Sequence, residues 1–145
     1  VFKSFIEDPS NINENFKRIR VRNLIKKLEN EGFDKKKFNL TISNLKSANK
    51  ALEFYAKKNV LENSFFNSMK HNTVLSKNFF IQPNEIILRS ITKVIQKISK
   101  NYYPPRGKSI NSLIIKIKSS KGIKRVTLGG CIFEKANETV IISKE

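Results

Sequence analysis

The stretch RVTLGGCIFEKANETVIIS, residues 125–143, decides the fold class. Three short runs rich in β-branched and aromatic residues, RVTL, CIFE and TVIIS, are separated by Gly129-Gly130 and by Ala136-Asn137. Such spacing predicts a small antiparallel meander closing the chain, with the glycine pair as a tight turn rather than a phosphate cradle. Upstream the apolar period is helical. Helices first and strands last predict an α+β protein, predominantly helical, with about four helices packed on a small antiparallel sheet.

The helices are read from spacing and punctuation. Over residues 13–31, Val21, Leu24, Ile25 and Leu28 recur at i, i+3, i+4, i+7, and Gly32 supplies a stop. Over 34–63, Phe38, Ile42, Leu45, Ala48, Leu52, Tyr55 and Ala56 keep the same rhythm behind Asp34, a natural N-cap. Residues 64–82 lose the period, and the pairs Phe65-Phe66 and Phe79-Phe80 predict two short strands or an irregular lid. Pro83 opens a third helix with Ile87, Ile91, Val94, Ile95 and Ile98 inward, ending before Pro104-Pro105. A fourth, over 109–119, turns Ile110, Leu113, Ile114 and Ile117 to the core. Glu85 and Arg89, one turn apart, form a structural pair; Tyr102 and Tyr103 suit stacking on an unpaired base or, the favoured reading, packing against the fourth helix.

Composition bounds the function. A chain of 145 residues, 39% hydrophobic, buries a core as one domain or two small ones. No apolar run reaches the roughly 18–20 residues of a membrane span and no signal peptide is evident, which predicts a cytoplasmic protein without membrane contact. The chain opens on Val1, and VFKSFIE alternates as a strand without a neighbouring partner, as if cut from something larger. One cysteine, Cys131, and one histidine, His71, exclude an internal disulfide and a structural zinc site, so no metal ligands are assigned. Cys131 reads as a small buried residue beside a turn, and His71 as an exposed loop residue. No Walker-type glycine loop, nucleophile elbow or carboxylate cluster appears, so no catalytic residue is assigned. The formal charge of +17 points to a polyanion. Lysine dominates the 29 cations in a chain crowded with Asn and Ile, a bias that discounts part of this excess. The six arginines are more informative.

Three of them follow the turn in EDPSNINENFKRIRVR, residues 7–22. On a helical wheel Arg18, Arg22 and Lys26 line one rim of the apolar stripe and Arg20 the other, where it reads as an ordinary solvated residue. The Arg18/Arg22 pair suits two readings: a clamp onto Asp8, or two guanidinium forks presented to phosphates.

Asp8-Pro9-Ser10-Asn11 followed by Phe16, Arg18 and Arg22 resembles the signature after the catalytic domain of tRNA(Ile)-lysidine synthases, enzymes of the PP-loop ATPase group. Tyr103-Pro104-Pro105-Arg106, Thr127-Leu128-Gly129-Gly130-Cys131 and the closing Ser143-Lys144-Glu145 resemble the C-terminal pattern of short members, with Lys144 where an arginine is usual. The resemblance implies a ligase that adenylates C2 of cytidine 34 in the CAU anticodon of tRNA(Ile) and lets free lysine displace AMP, forming lysidine. ATP and Mg2+ would be bound by an N-terminal domain of which only the last strand, residues 1–7, is present, so this segment alone would be inactive. Residues 8–103 would form a helical tRNA-recognition domain hinged at 8–12, and 104–145 a C-terminal helix and meander. Asp8, Ser10 and Asn11 would edge the active site, with Ser10 or Asn11 capping the first helix, and Arg18 and Arg22 would face the anticodon arm. Lys26, Lys35, Lys36 and Arg106 are further candidate phosphate contacts, with a solvated turn as the other reading of Lys35 and Lys36. The alternative is a stand-alone, non-catalytic basic RNA-binding module.

Overall fold

The computed structural model describes residues 13–69, 72–119 and 124–145. The expected opening strand, the hinge, and Asp8, Ser10, Asn11 and His71 lie outside the described residues. The protein is α+β, with four α-helices and a five-stranded antiparallel sheet among the described residues. Two compact units divide within a helix, one ending at Lys46, the other running Ser47–Glu145.

In the first unit, α1 spans Lys17–Asn30 and α2, which begins here, spans Lys35–Asn63. Gly32, at φ +94°, takes the left-handed turn between them. Asp34 caps α2 as expected, its Oδ1 accepting from the backbone N–H of Lys36 at 2.8 Å and of Lys37 at 3.1 Å. The rings of Phe33 and Phe38 meet across this turn with centroids 5.2 Å apart. The stripe expected to be core in α1 is not: Val21, Leu24 and Leu28 are 45%, 57% and 44% exposed. Ile19 is buried instead, about 160° round the helix from Val21. Phe38, Leu45 and Tyr55 of α2 are likewise exposed. Periodicity identifies an apolar face, but burial needs something packed on it.

The second unit holds the main core. Its sheet has the order β1-β2-β5-β4-β3, with β1 Ser64–Asn67, β2 Asn72–Leu75, β3 Val126–Leu128, β4 Cys131–Ala136 and β5 Thr139–Lys144. The meander forms as read: Gly129 and Gly130, at φ +64° and +77°, connect β3 to β4 with Leu128 opposite Cys131. Two short strands form within residues 64–82, but only Phe65-Phe66 of the expected aromatic pairs lies in one, β1; β2 falls in the polar middle, because it joins β5 with Thr73 opposite Ile142 and Leu75 opposite Val140. A short 3-10 turn, Lys77–Phe80, follows and buries Phe79 completely. The boundary expected at residues 103–104 is crossed by this pairing, because one sheet draws strands from both sides of it.

Helices α3, Asn84–Ser99, and α4, Gly107–Lys118, cover one face of the sheet. Both expected stripes are buried and pack with Leu75, Phe79, Cys131, Phe133, Val140 and Ile142 in one cluster. Alternation along β4 and β5 explains the assignment: Cys131, Phe133, Val140 and Ile142 point to the helices while Ile132 and Ile141 on the other face stay half-exposed. The Cys131 thiol donates to the Ile95 carbonyl at 3.8 Å, and burial pushes its pKa up, so it is a packed thiol rather than a thiolate.

The C-terminal half of α2 is tied to this core by polar groups. Buried Asn59 donates from Nδ2 to the Ser90 hydroxyl at 3.1 Å and the Phe79 carbonyl at 3.3 Å, and its Oδ1 accepts from Asn63 Nδ2 at 2.9 Å. Ser90, fully buried, donates back into α3 at the Ile86 carbonyl, 2.7 Å away. At the surface Arg89 reaches Glu85 at 2.6 Å and Glu53 at 3.0 Å, while Lys93 reaches Glu53 at 2.6 Å. The Glu85–Arg89 pair is structural as expected, and it also serves the joint between α2 and α3.

Two outcomes follow from these ties. Asn59→Ala strands the Phe79 carbonyl and the Ser90 hydroxyl without their donor, and should cost about 2–3 kcal/mol in chemical denaturation; a loss under about 0.5 kcal/mol would remove the network from the account. The Glu53 carboxyl is held below its ordinary value, first by its hydrogen bond from Lys93 and then by Arg89, against partial burial. A depressed folded pKa contributes stability above the unfolded value, about 4.3, that is lost as pH falls through the lower folded value. Wild-type stability should therefore drop more steeply than that of Glu53→Gln between about pH 5 and pH 3. Parallel curves in acid denaturation would refute it.

Candidate nucleic-acid interface

A chain of charge +17 leaves most cations without a carboxylate partner, so their distribution is the question. Several are neutralised by ion pairs: Lys58 with Glu62, Lys77 with Glu138, Arg125 with Glu134, and the Arg89/Lys93 cluster. Others are held by neutral groups. Lys135 donates to the Ile117 carbonyl near the end of α4, and Lys118 to Asn84 at the start of α3.

The arginines of α1 divide differently from the sequence reading. Arg20 is not an idle solvated side chain: its Nη1 donates to the backbone carbonyls of Glu14 at 3.0 Å and Asn15 at 3.2 Å. Asn23 adds a bond to the Glu14 carboxylate at 3.1 Å, and Asn13 accepts from the Asn15 N–H at 3.0 Å. The helix begins at Lys17 rather than near Asn13, with Phe16 at its cap position offering no side-chain acceptor. Arg20 thus clamps the turn at residues 14 and 15 to the helix, whereas the clamp onto Asp8 considered for Arg18 and Arg22 lies outside the described residues. The reason is the rim: Arg20 sits on the side to which residues 14 and 15 fold back.

Arg18 lies over the Phe16 ring, its guanidinium carbon 5.5 Å from the centroid, and makes no side-chain hydrogen bond or ion pair among the described residues. Arg22 and Lys26 make no ion pair or side-chain hydrogen bond among the described residues, and both are exposed. Arg18, Arg22 and Lys26 therefore form a row of donors one turn apart along α1. Such a row suits phosphates spaced along a strand, while Asp8, the carboxylate of the clamp reading, lies outside the described residues. Lys35 and Lys36 stand exposed at the start of α2, where the Asp34 carboxylate offsets their opposition to the helix dipole. Arg106, in the other unit, precedes α4, and its carbonyl accepts from Ser109 and Ile110 while its side chain is exposed.

Of the surface around α4 the sequence reading took Arg106 and the tyrosine pair but not the lysines of the helix itself. From Ile86 to Phe133 the chain contains no Asp or Glu and eleven Lys or Arg. That run was the available signal, passed over because whole-chain charge was discounted as bias. Tyr102 and Tyr103, expected to pack on α4, are 85% and 82% exposed. A surface depression of about 720 Å3 between α3 and α4 is lined by one carboxylate, Glu85, which is committed to Arg89. No helix among the described residues is long and apolar enough to cross a membrane.

No protein-family model matches the chain. Two relatives do. The chain is 29% identical over 141 residues to the tRNA(Ile)-lysidine synthase of Wolbachia sp. subsp. Brugia malayi (strain TRS), a match covering 97% of this chain and 33% of that protein. It is 28% identical over 141 residues to the tRNA(Ile)-lysidine synthase of Wolbachia pipientis wMel, with the same coverage. The resemblance carried by the landmark residues therefore extends over nearly all of this chain, which spans about a third of the length of the curated relatives it matches.

The two rims of α1 make separable predictions for stability. Arg20→Ala removes two bonds to backbone carbonyls and should loosen the first turn, by at most about 1 kcal/mol at this exposed site. Amide exchange at Ile19 to Arg22 should accelerate. Arg22→Ala, which has nothing to release within the described residues, should leave both exchange and melting unchanged, and equal effects in the two variants would dissolve the distinction.

Proposed function

We propose that this chain is the tRNA-binding part of an ATP-dependent ligase that attaches lysine to C2 of cytidine 34 in the CAU anticodon of tRNA(Ile), forming lysidine. The observation that carries the reading is the similarity to two tRNA(Ile)-lysidine synthases along 97% of the chain. The free row Arg18, Arg22, Lys26 supports it, because guanidinium forks on a helix rim match phosphate oxygens at the spacing of a backbone. In this reading α1 orients the anticodon arm.

ATP and Mg2+ are not matched by the residues described. No group of three or more His, Cys, Asp or Glu side chains among them is placed to hold a metal ion, and the sequence has no glycine-rich phosphate loop. Activation of the cytidine and capture of lysine are therefore assigned to chain outside these residues, and this segment contributes affinity and position. Its partners are tRNA(Ile) and, through the complete enzyme, free lysine, in the cytoplasm. The second reading, a non-catalytic basic RNA-binding module, draws on the same charge and would share the RNA surface without the chemistry.

Two measurements test the reading. Binding of unmodified tRNA(Ile) should weaken steeply with salt, and Arg18→Ala and Arg22→Ala should each lower the log-log slope by nearly one unit while Arg20→Ala leaves it unchanged. Salt-insensitive binding would overturn it. Incubated with ATP, lysine and unmodified tRNA(Ile), this chain alone should yield no lysidine by nucleoside mass analysis; product above background would place the chemistry within these residues.

A further inference from the structure

The acid-free run between Glu85 and Glu134 folds into a surface with two parts. The first is a groove of about 360 Å3 between α4 and β3, an edge strand of the sheet. Lys108, Ser112 and Lys116 follow one another by one helical turn along its α4 wall, and Thr127 of β3 lies across from them. No carboxylate lines it, and neither lysine makes an ion pair among the described residues. The hydroxyls of Ser112 and Thr127 also lack a protein hydrogen-bond partner among the described residues. This sets the groove apart from the Arg89/Lys93 cluster, where carboxylates already occupy the cations.

The second part is the Tyr102-Tyr103 pair. Its backbone is pinned: Gln96 donates to the Tyr102 carbonyl at 3.1 Å and Asn101 to the Gly129 carbonyl at 3.4 Å. The Pro105 ring lies so close to Gly129 that an added Cβ would meet its Cγ at 2.5 Å. Both rings nevertheless face solvent, edge to face with centroids 5.1 Å apart. Because Gly129 follows Leu128, which lines the groove, the segment bearing the tyrosines is anchored at the groove's end, with three residues between Tyr103 and the start of α4.

We propose that this surface is a second RNA site, for an unpaired strand, with the tyrosines stacking bases and the groove donors holding the adjoining phosphates. The inference rests on the tRNA-binding reading and adds to it a site distinct from the arginine row of α1. Charge selects a polyanion for the groove. The rings select single-stranded over duplex RNA, since base faces are free to stack only where pairing and helical stacking are broken. Lysines, hydroxyls and aromatics read no base edge in a fixed register, so the site is tolerant of sequence.

Fluorescence anisotropy on the full chain decides it, with a labelled single-stranded RNA of about 12 nucleotides and a blunt duplex of the same length. The wild type should prefer the single strand. Tyr102→Ala/Tyr103→Ala should weaken single-strand binding at least about fivefold with the salt slope unchanged, and Tyr102→Phe/Tyr103→Phe should restore it because stacking survives. Lys108→Gln/Lys116→Gln should lower the single-strand slope by about 1.4. Circular-dichroism melts should match wild type, as all four side chains are exposed. Single-strand affinity unmoved by the tyrosine and lysine changes overturns the site, even with tRNA binding through Arg18 and Arg22 intact. Equal loss on duplex and single strand overturns the stacking role. Absence of any RNA binding by the wild type overturns both this inference and the reading beneath it.

Discussion

The hydrogen bond from Asn59 to Ser90 is the constraint on which the Ser47–Glu145 unit depends. Helix α2 gives the apolar core little: Ala56 is buried and Val60 packs partly against the cluster, while most of its larger hydrophobics face out. What fixes its C-terminal half is the polar ladder through Asn59, Ser90 and the Phe79 carbonyl, extended by Asn63 to Ser76. Two donors of one buried amide are both used, so the helix is held in rotation as well as position. A purely apolar contact of similar area would tolerate a slide along α3; this ladder does not. Because the same residues anchor the 3-10 turn that feeds from β2 into α3, the joint also sets how the first hairpin meets the sheet.

Around that joint, carboxylates are spent on architecture. Glu53 and Glu85 hold Arg89 and Lys93 across α2 and α3, and Glu138 and Glu134 each hold one cation near the meander. With 12 acids in the whole chain against 29 Lys and Arg, each acid committed to a structural pair leaves the remaining cations unopposed elsewhere. The outcome is local rather than uniform. Among the described residues, donors stay unpaired on one rim of α1 and along the α4 groove, whereas the α2–α3 joint is close to neutral. Net charge reports that a polyanion is favoured; the placement of acids reports where.

How far the fold was legible follows from what each signal measures. The meander, the two stripes of α3 and α4 and the Asp34 cap came directly from period and punctuation, because alternation and i, i+3, i+4 spacing encode a face, and Asp34 caps through its own side chain. The pairing of β2 with β5 was not legible, since nothing local to NTVL names a strand nearly seventy residues away. Nor was exposure of the α1 stripe: a face can be apolar without being covered. Asn59 was invisible for a related reason, as a polar residue on a helix reads as solvent-facing until its partners arrive from residues 79 and 90.

The site divides along the same line. The wheel separated Arg20 from Arg18 and Arg22 correctly, since it depends only on helix geometry, but it assigned the idle role to Arg20. That assignment required knowing where residues 14 and 15 fold, which is tertiary information. The tyrosines fail in the opposite sense. Aromatics before a Pro-Pro stop are read as packing residues, yet here Pro105 takes the contact with Gly129 and Gln96 takes the Tyr102 carbonyl, so backbone and proline supply the anchorage that the rings would otherwise provide. Rings relieved of a structural duty and kept at the surface of an acid-free segment are free to meet a partner. A protein partner would gain little from the uncompensated lysines beside them, whereas an unpaired nucleic-acid strand carries both the flat faces and the charge that this surface complements.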